Sequence, residues 1–176
     1  VRSMEAMFAE CPEFIGYSIS DWDVSKVSNF RWMFSSNPKF NGDLSRWNTS
    51  KAFNMSYMFN SATSFKGDLS KWDVSNVIYI NDMFANAKSF NCDLSGWNVS
   101  NVIEMSWMFS ETSAFNSSIY RWDVSNVKNM NDMFHQASAF TSNISAWKIK
   151  DTCGTKNMFE DCKIDISQKT KWAKNH

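Results

Sequence analysis

The carboxylates, thiols and imidazoles of the chain are the first places to look for chemistry. Asp43, Asp68 and Asp93 each stand four residues before a tryptophan, so a carboxylate recurs in register. Stacked carboxylates could coordinate calcium through oxygen. Ser118 and Asn143 hold the same place in the next two repeats, and a turn-capping role accounts for Asp, Ser and Asn alike. Of the four cysteines, Cys153 and Cys162 are the pair expected to form a disulfide, stapling the end of the array. Neither of the two histidines, His135 and His176, lies close to that pair, which disfavours zinc. The chain has no G-x-S-x-G, no phosphate loop and no H-E-x-x-H. Repetition copies a surface, whereas catalysis needs one asymmetric constellation. The sequence therefore reads as non-catalytic, with no cofactor and no metal.

Aromatic residues carry more binding potential. The position just before the Met of each recurring Met-Phe pair is Trp32, Tyr57, Asp82, Trp107, Asp132 and Asn157. It lies off the apolar stripe and is expected to be exposed. Trp and Tyr on an exposed ridge suit an interface, because one end of each ring is apolar and the other can hydrogen-bond. Tyr79, four residues before Met83, is placed close by. A second row, one residue before each Trp, varies in charge: Asp21, Arg46, Lys71, Gly96 and Arg121. The candidate partner-binding residues are thus Trp32, Tyr57, Tyr79, Trp107, Arg46, Lys71 and Arg121. Packing between coils is the alternative for the ridge, and solubility the alternative for the polar rows.

What positions these residues is an internal repeat. Trp22, Trp47, Trp72, Trp97, Trp122 and Trp147 are each 25 residues apart, and Trp172 keeps the step. Met-Phe pairs at 33–34, 58–59, 83–84, 108–109, 133–134 and 158–159 follow the same period, as does Phe40, Phe65, Phe90, Phe115, Phe140. Met7-Phe8 precedes them by a step of 26, the extra residue falling between Phe14 and Trp22. In the best-preserved coil, Leu69, Trp72, Val74 and Val77 alternate as a short strand with one buried face would. Ile80, Met83, Phe84 and Ala87 show the i, i+3, i+4, i+7 stripe of a short helix. A single coil cannot bury its apolar side, so neighbours must stack and the Trp, Met and Phe columns become core. The expected fold is an α/β repeat solenoid, with one short parallel strand and one short helix per coil. Residues 1–176 make one domain, with 1–21 a partial first coil and 148–176 a degenerate C-terminal capping coil. The N-terminal side shows no matching cap, so the array is expected to continue or to pack against another chain there.

The pattern W-D-V-S-N-V-x-x-M-x-x-M-F-x-x-A-x-x-F-N-x-D-L-S, read from Trp72 to Ser95, resembles the 25- or 26-residue repeat of bacterial surface proteins. That repeat belongs to mycoplasma and Listeria lipoproteins and is related to BspA-like leucine-rich repeats. The resemblance implies a leucine-rich-repeat-like solenoid at the cell surface or outside the cell, binding a protein or a glycan in adhesion. A structural subunit held permanently within a larger assembly is the second reading. Eighteen basic residues balance eighteen acidic ones, so no global field favours nucleic acid or an anionic membrane. No apolar run is long enough to cross a bilayer.

Overall fold

Each pair of apolar residues three apart closes a turn. In the coil from Leu69 to Phe90, the Trp72 N–H donates to the Leu69 carbonyl at 3.0 Å and Val77 to Val74 at 2.9 Å. Met83 then donates to Ile80 at 3.2 Å, Ala87 to Phe84 at 2.9 Å and Phe90 to Ala87 at 3.0 Å. Five turns bring the chain once round, with their apolar ends pointing inward. The structure, a computed structural model, describes residues 1–165 and 167.

The expected coil of one strand and one helix is therefore wrong, and the leucine-rich-repeat-like α/β solenoid with it. Residues 1–165 contain no regular helix or strand. The backbone shows why. Asp82 and Asn86 are the third residues of successive turns and have φ of 55° and 57°. A left-handed residue at that place is what a type II turn requires, and it stops a right-handed helix. Every coil repeats the device, from Ala6 and Glu10 through Trp32 and Ser36 to Asn157 and Asp161. Two consecutive turns reproduce the i, i+3, i+4, i+7 spacing of an amphipathic helix, so the apolar stripe is the same for both. The Leu69-to-Val77 segment is likewise two turns, and not a strand.

Coils are joined by backbone hydrogen bonds along this arm. Ile80, Asp82, Phe84 and Asn86 donate to Glu104, Ser106, Met108 and Ser110 of the next coil at 2.8–3.1 Å. All four N–H groups point toward the C-terminal end of the column, but the carbonyls of Ile80, Asp82 and Phe84 accept from Met83, Ala85 and Ala87 of their own coil, where those of a parallel β-strand would accept from the neighbour. The same four bonds recur at each coil junction from Met4–Asn29 to Gln136–Glu160. Among the described residues, parallel pairing is confined to six isolated bridges, running from Ser3–Asn29 through Asn54–Tyr79 and Glu104–Asn129 to Asn129–Gly154.

Inside, the aromatic columns line up. Phe59, Phe84, Phe109 and Phe134 stack at ring-centre distances of 5.7 Å from coil to coil. Within a coil, Phe84 and Phe90 lie 3.9 Å apart and nearly parallel. Trp97, Trp122 and Trp147 stack at 6.4 Å with planes within 4° of parallel. Each buried indole N–H is satisfied by a carbonyl of the preceding coil, as in Trp97 to Leu69 at 2.9 Å and Trp122 to Leu94 at 2.9 Å. The buried indole donors are thus paired within the column. The 26-residue step is absorbed at Ile15–Gly16–Tyr17, where Tyr17 is 88% exposed. Gly16 has φ 89°, and a Cβ there would stand 2.5 Å from the Phe40 ring, so only glycine fits.

Cys153 and Cys162 do not form the expected disulfide. Both are buried thiols. The Cys153 Sγ lies 3.6 Å from the Gly154 carbonyl, and the Cys162 Sγ lies 3.5 Å from that of Phe140 one coil back, so they are turned to different acceptors. Of the expected capping coil, Lys169, Trp172 and the other residues from 168 onward lie outside the described residues, as does Ile166.

Candidate functional site

The ridge before each Met-Phe pair is built by the first left-handed residue of every coil. Trp32, Tyr57, Asp82, Trp107 and Asp132 have φ between 55° and 60°. The turn directs the residue between two inward ones away from the core. Coil stacking then brings Trp32 and Tyr57 together, with ring centres 5.6 Å apart and planes tilted by 47°. Tyr57 hydrogen-bonds onward to Asp82. Burial raises the Asp82 carboxyl above the ordinary aspartate range, against the pull of its bonds to Asn81 and Tyr57. Burial also raises the Tyr57 hydroxyl, assisted by the Asp82 charge. Trp107 is 40% exposed, with the His135 ring 5.8 Å away.

Tyr79 does not belong to this ridge. It lies on the bridge row with Asn54 and Glu104 and meets the exposed Phe53 edge-on at 5.4 Å. Arg46, Lys71 and Arg121 are exposed on the face that carries the Trp turns. Arg46 pairs with Asp21 at 2.7 Å, both side chains being largely solvated, so the bond adds little to stability. The structure thus joins Trp32 to Tyr57, sets Trp107 on the same ridge, and separates Tyr79 and the three basic residues from them.

Two features at this ridge are absent from the sequence reading. The Arg31 guanidinium carbon lies 3.7 Å from the centre of the Trp32 ring, a cation–π contact. Glu5, one coil earlier, stands 3.8 Å from the same guanidinium. Adjacent Arg and Trp in a sequence do not announce such a contact, because the intervening turn decides it. Phe53 was also missed: its row reads Ser28, Phe53, Ile78, Ile103 and Lys128, apolar in three coils but outside the Trp, Met-Phe and Phe columns that fill the core.

The recurring carboxylates are turn caps. Ser45, Ser70 and Ser95 N–H groups donate to Asp43, Asp68 and Asp93 at 2.9 Å, and Ser145 to Asn143 at 2.8 Å. The row after each Trp does the same, as in Ser75 to Asp73 at 3.0 Å and Ser100 to Asn98 at 3.1 Å. These bonds hold the Asp43, Asp68, Asp73 and Asp123 carboxyls below the ordinary aspartate range, through the serine hydroxyl first and its N–H second.

A family profile described as Mycoplasma protein of unknown function, DUF285, matches residues 1–95 and 66–172. The chain belongs to this family. Together the two matches span nearly all of the repeat, which fits the resemblance to bacterial surface-protein repeats. The narrower likeness to BspA-type leucine-rich repeats is not supported, because the regular strand and helix of those repeats are missing. No curated protein and no solved structure matches the chain. Among the described residues, no helix is long and apolar enough to cross a membrane.

Proposed function

We propose that this chain is a non-catalytic repeat module that presents its aromatic ridge to a protein or glycan partner, in an adhesion-like role at the cell surface. The observation that supports this reading is the identity of the residues in the left-handed positions. A bulky side chain there costs about 1–2 kcal/mol relative to glycine or asparagine. Asp82, Asp132 and Asn157 make the same turn without an aromatic ring, so the fold has no need of one. Trp107 holds its ring at the surface there, with Trp32 and Tyr57 half-buried on the same ridge, so these rings are not demanded by the turn. Membership of a bacterial repeat family is compatible with such a module.

The test replaces Trp32 and Trp107 with Asn, the residue that position 157 already carries. Capture of partners from the surface fraction of native cells should be lost while the unfolding transition is kept. Unchanged capture, or loss of the transition, would defeat the reading. A stoichiometric complex that survives purification and ignores both substitutions would favour a structural subunit instead.

A further inference from the structure

This inference rests on the ridge being the binding face, and it names the chemistry that docks at one point along it. Trp32 and Trp107 share a backbone conformation, with φ of 58° and 59°. Their surroundings differ. The face of Trp32 is covered by the chain's own Arg31 at 3.7 Å, and Glu5 lies 3.8 Å from that guanidinium. At Trp107 the place of Arg31 is taken by Ser106, and the ring is 40% exposed.

Carboxylates surround Trp107 in register. Half-buried Asp82 and buried Asp132 occupy its own row in the coils before and after, and the exposed Glu111 follows by four residues. Glu104 lies beside the ridge on the bridge row, its oxygens taking the Ser106 N–H at 2.9 Å and the Asn129 amide at 3.2 Å. The Glu104 carboxylate is close enough to Asp82 to raise the latter's pKa through like charge. Basic groups stand further off or are engaged. Lys156 lies two coils on in the row of Ser106, and the His135 ring, 5.8 Å from that of Trp107, turns its Nε2 to Glu160 at 3.9 Å. The exposed side of an indole in a negative field attracts a cation. A planar guanidinium suits it better than an ammonium, because it can stack on the ring while bonding to carboxylates.

We propose that Trp107 and the carboxylates around it receive an arginine side chain from a basic segment of a partner protein. The contact would repeat between chains the arrangement of Glu5, Arg31 and Trp32 within this one.

The experiment titrates the full chain with N-acetylated, C-amidated tetra-arginine, following heat and the indole N–H resonances. Tetraglycine and a neutral glucose oligosaccharide serve as comparators. Tetra-arginine should bind, move the Trp107 indole signal and leave that of Trp32 in place. Its affinity should fall about tenfold in Trp107→Asn and less in Glu111→Gln, a change that the next coil's Gln136 shows to be tolerated. Raising the salt should weaken it further, as exposed charges are screened. Equal affinity in wild type and Trp107→Asn, or no binding of tetra-arginine, overturns the proposal. If the oligosaccharide moves Trp107 and tetra-arginine does not, the cation fails while the ridge stands. If the ridge variants also keep their native partners, both fail.

Discussion

Ser36 and Gln136 are exposed, and each has a left-handed backbone, with φ of 58° and 55°. Replacing either with Gly and separately with Ala distinguishes a turn from a helix by the sign of the result. In a helix, Gly is about 1 kcal/mol less stable than Ala. At a left-handed position, Ala keeps a conformational cost of about 1–2 kcal/mol that Gly escapes. Against this, Gly adds about 0.5–1 kcal/mol of unfolded-state entropy. The net expectation is that Gly exceeds Ala by about 0.5–1 kcal/mol at each site. The two sites lie four coils apart and share no partner, so the double Gly variant should gain about 1–2 kcal/mol over the double Ala variant. For a chain of this size, each kcal/mol is worth about 2–4 °C in Tm. Urea unfolding followed by tryptophan fluorescence, with calorimetry beside it, reads both quantities. Ala variants as stable as the Gly variants, or more so, would refute the turn architecture.

Three further outcomes follow from the same structure. Phe84→Ala removes a fully buried ring stacked on Phe59, Phe90 and Phe109, and should cost about 3–5 kcal/mol in urea unfolding. The partly buried Phe8, truncated in the same way, should cost clearly less, and equal losses would contradict a core built from neighbouring coils. The depressed carboxyls of Asp43, Asp68, Asp73 and Asp123 contribute stability that is complete above the unfolded aspartate value of about 3.9 and is lost as pH falls through their folded values. The urea midpoint should thus be level from about pH 5 to 7 and drop below about pH 4, and Asp73→Asn should soften that drop; an unaltered acid limb in the variant counts against the capping account. Burial pushes the Cys153 thiol up to about 11, so iodoacetamide near neutral pH should label the exposed Cys11 first and reach Cys153 only on unfolding, as mass mapping would show.

The period was legible because three independent columns, Trp, Met-Phe and Phe, agree on one step. The core followed from it, since Trp72, Met83, Phe84 and Phe90 all sit inside as their register requires. Local structure was not legible, because Ile80, Met83, Phe84 and Ala87 have the same spacing on two consecutive turns as on a helix. A signal did exist in the second left-handed row, Ser36, Ser61, Asn86, Glu111, Gln136 and Asp161, where Asn and Asp accept positive φ most readily. The first row hid it by carrying Trp and Tyr. The same row was expected to be exposed, but only Trp107 and Asn157 are; Trp32, Tyr57 and Asp82 are half-buried and Asp132 is buried, because neighbouring coils cover part of the row. Tyr79 was grouped with them by nearness in sequence, but the bond that closes Ile80 to Met83 turns the chain between Tyr79 and the ridge. Cys11 stands at the place of the buried Ala62 and Ala87, yet in the first coil it is exposed.

The equivalence of the coil junctions makes the molecule's length a separable property. Asn76 Nδ2 donates to the Ser50 carbonyl at 2.8 Å, and Asn101 Nδ2 to that of Ser75 at 2.7 Å. Excising residues 76–100 would seat Asn101 directly after Ser75, with the Ser50 carbonyl again within its reach. Loss or duplication of 25 codons between like tracts of the gene therefore shortens or extends the rod by one storey and leaves its cross-section unchanged. Shifts that are not whole multiples must be taken up outside the bonded arm, as the added residue beside Gly16 already is.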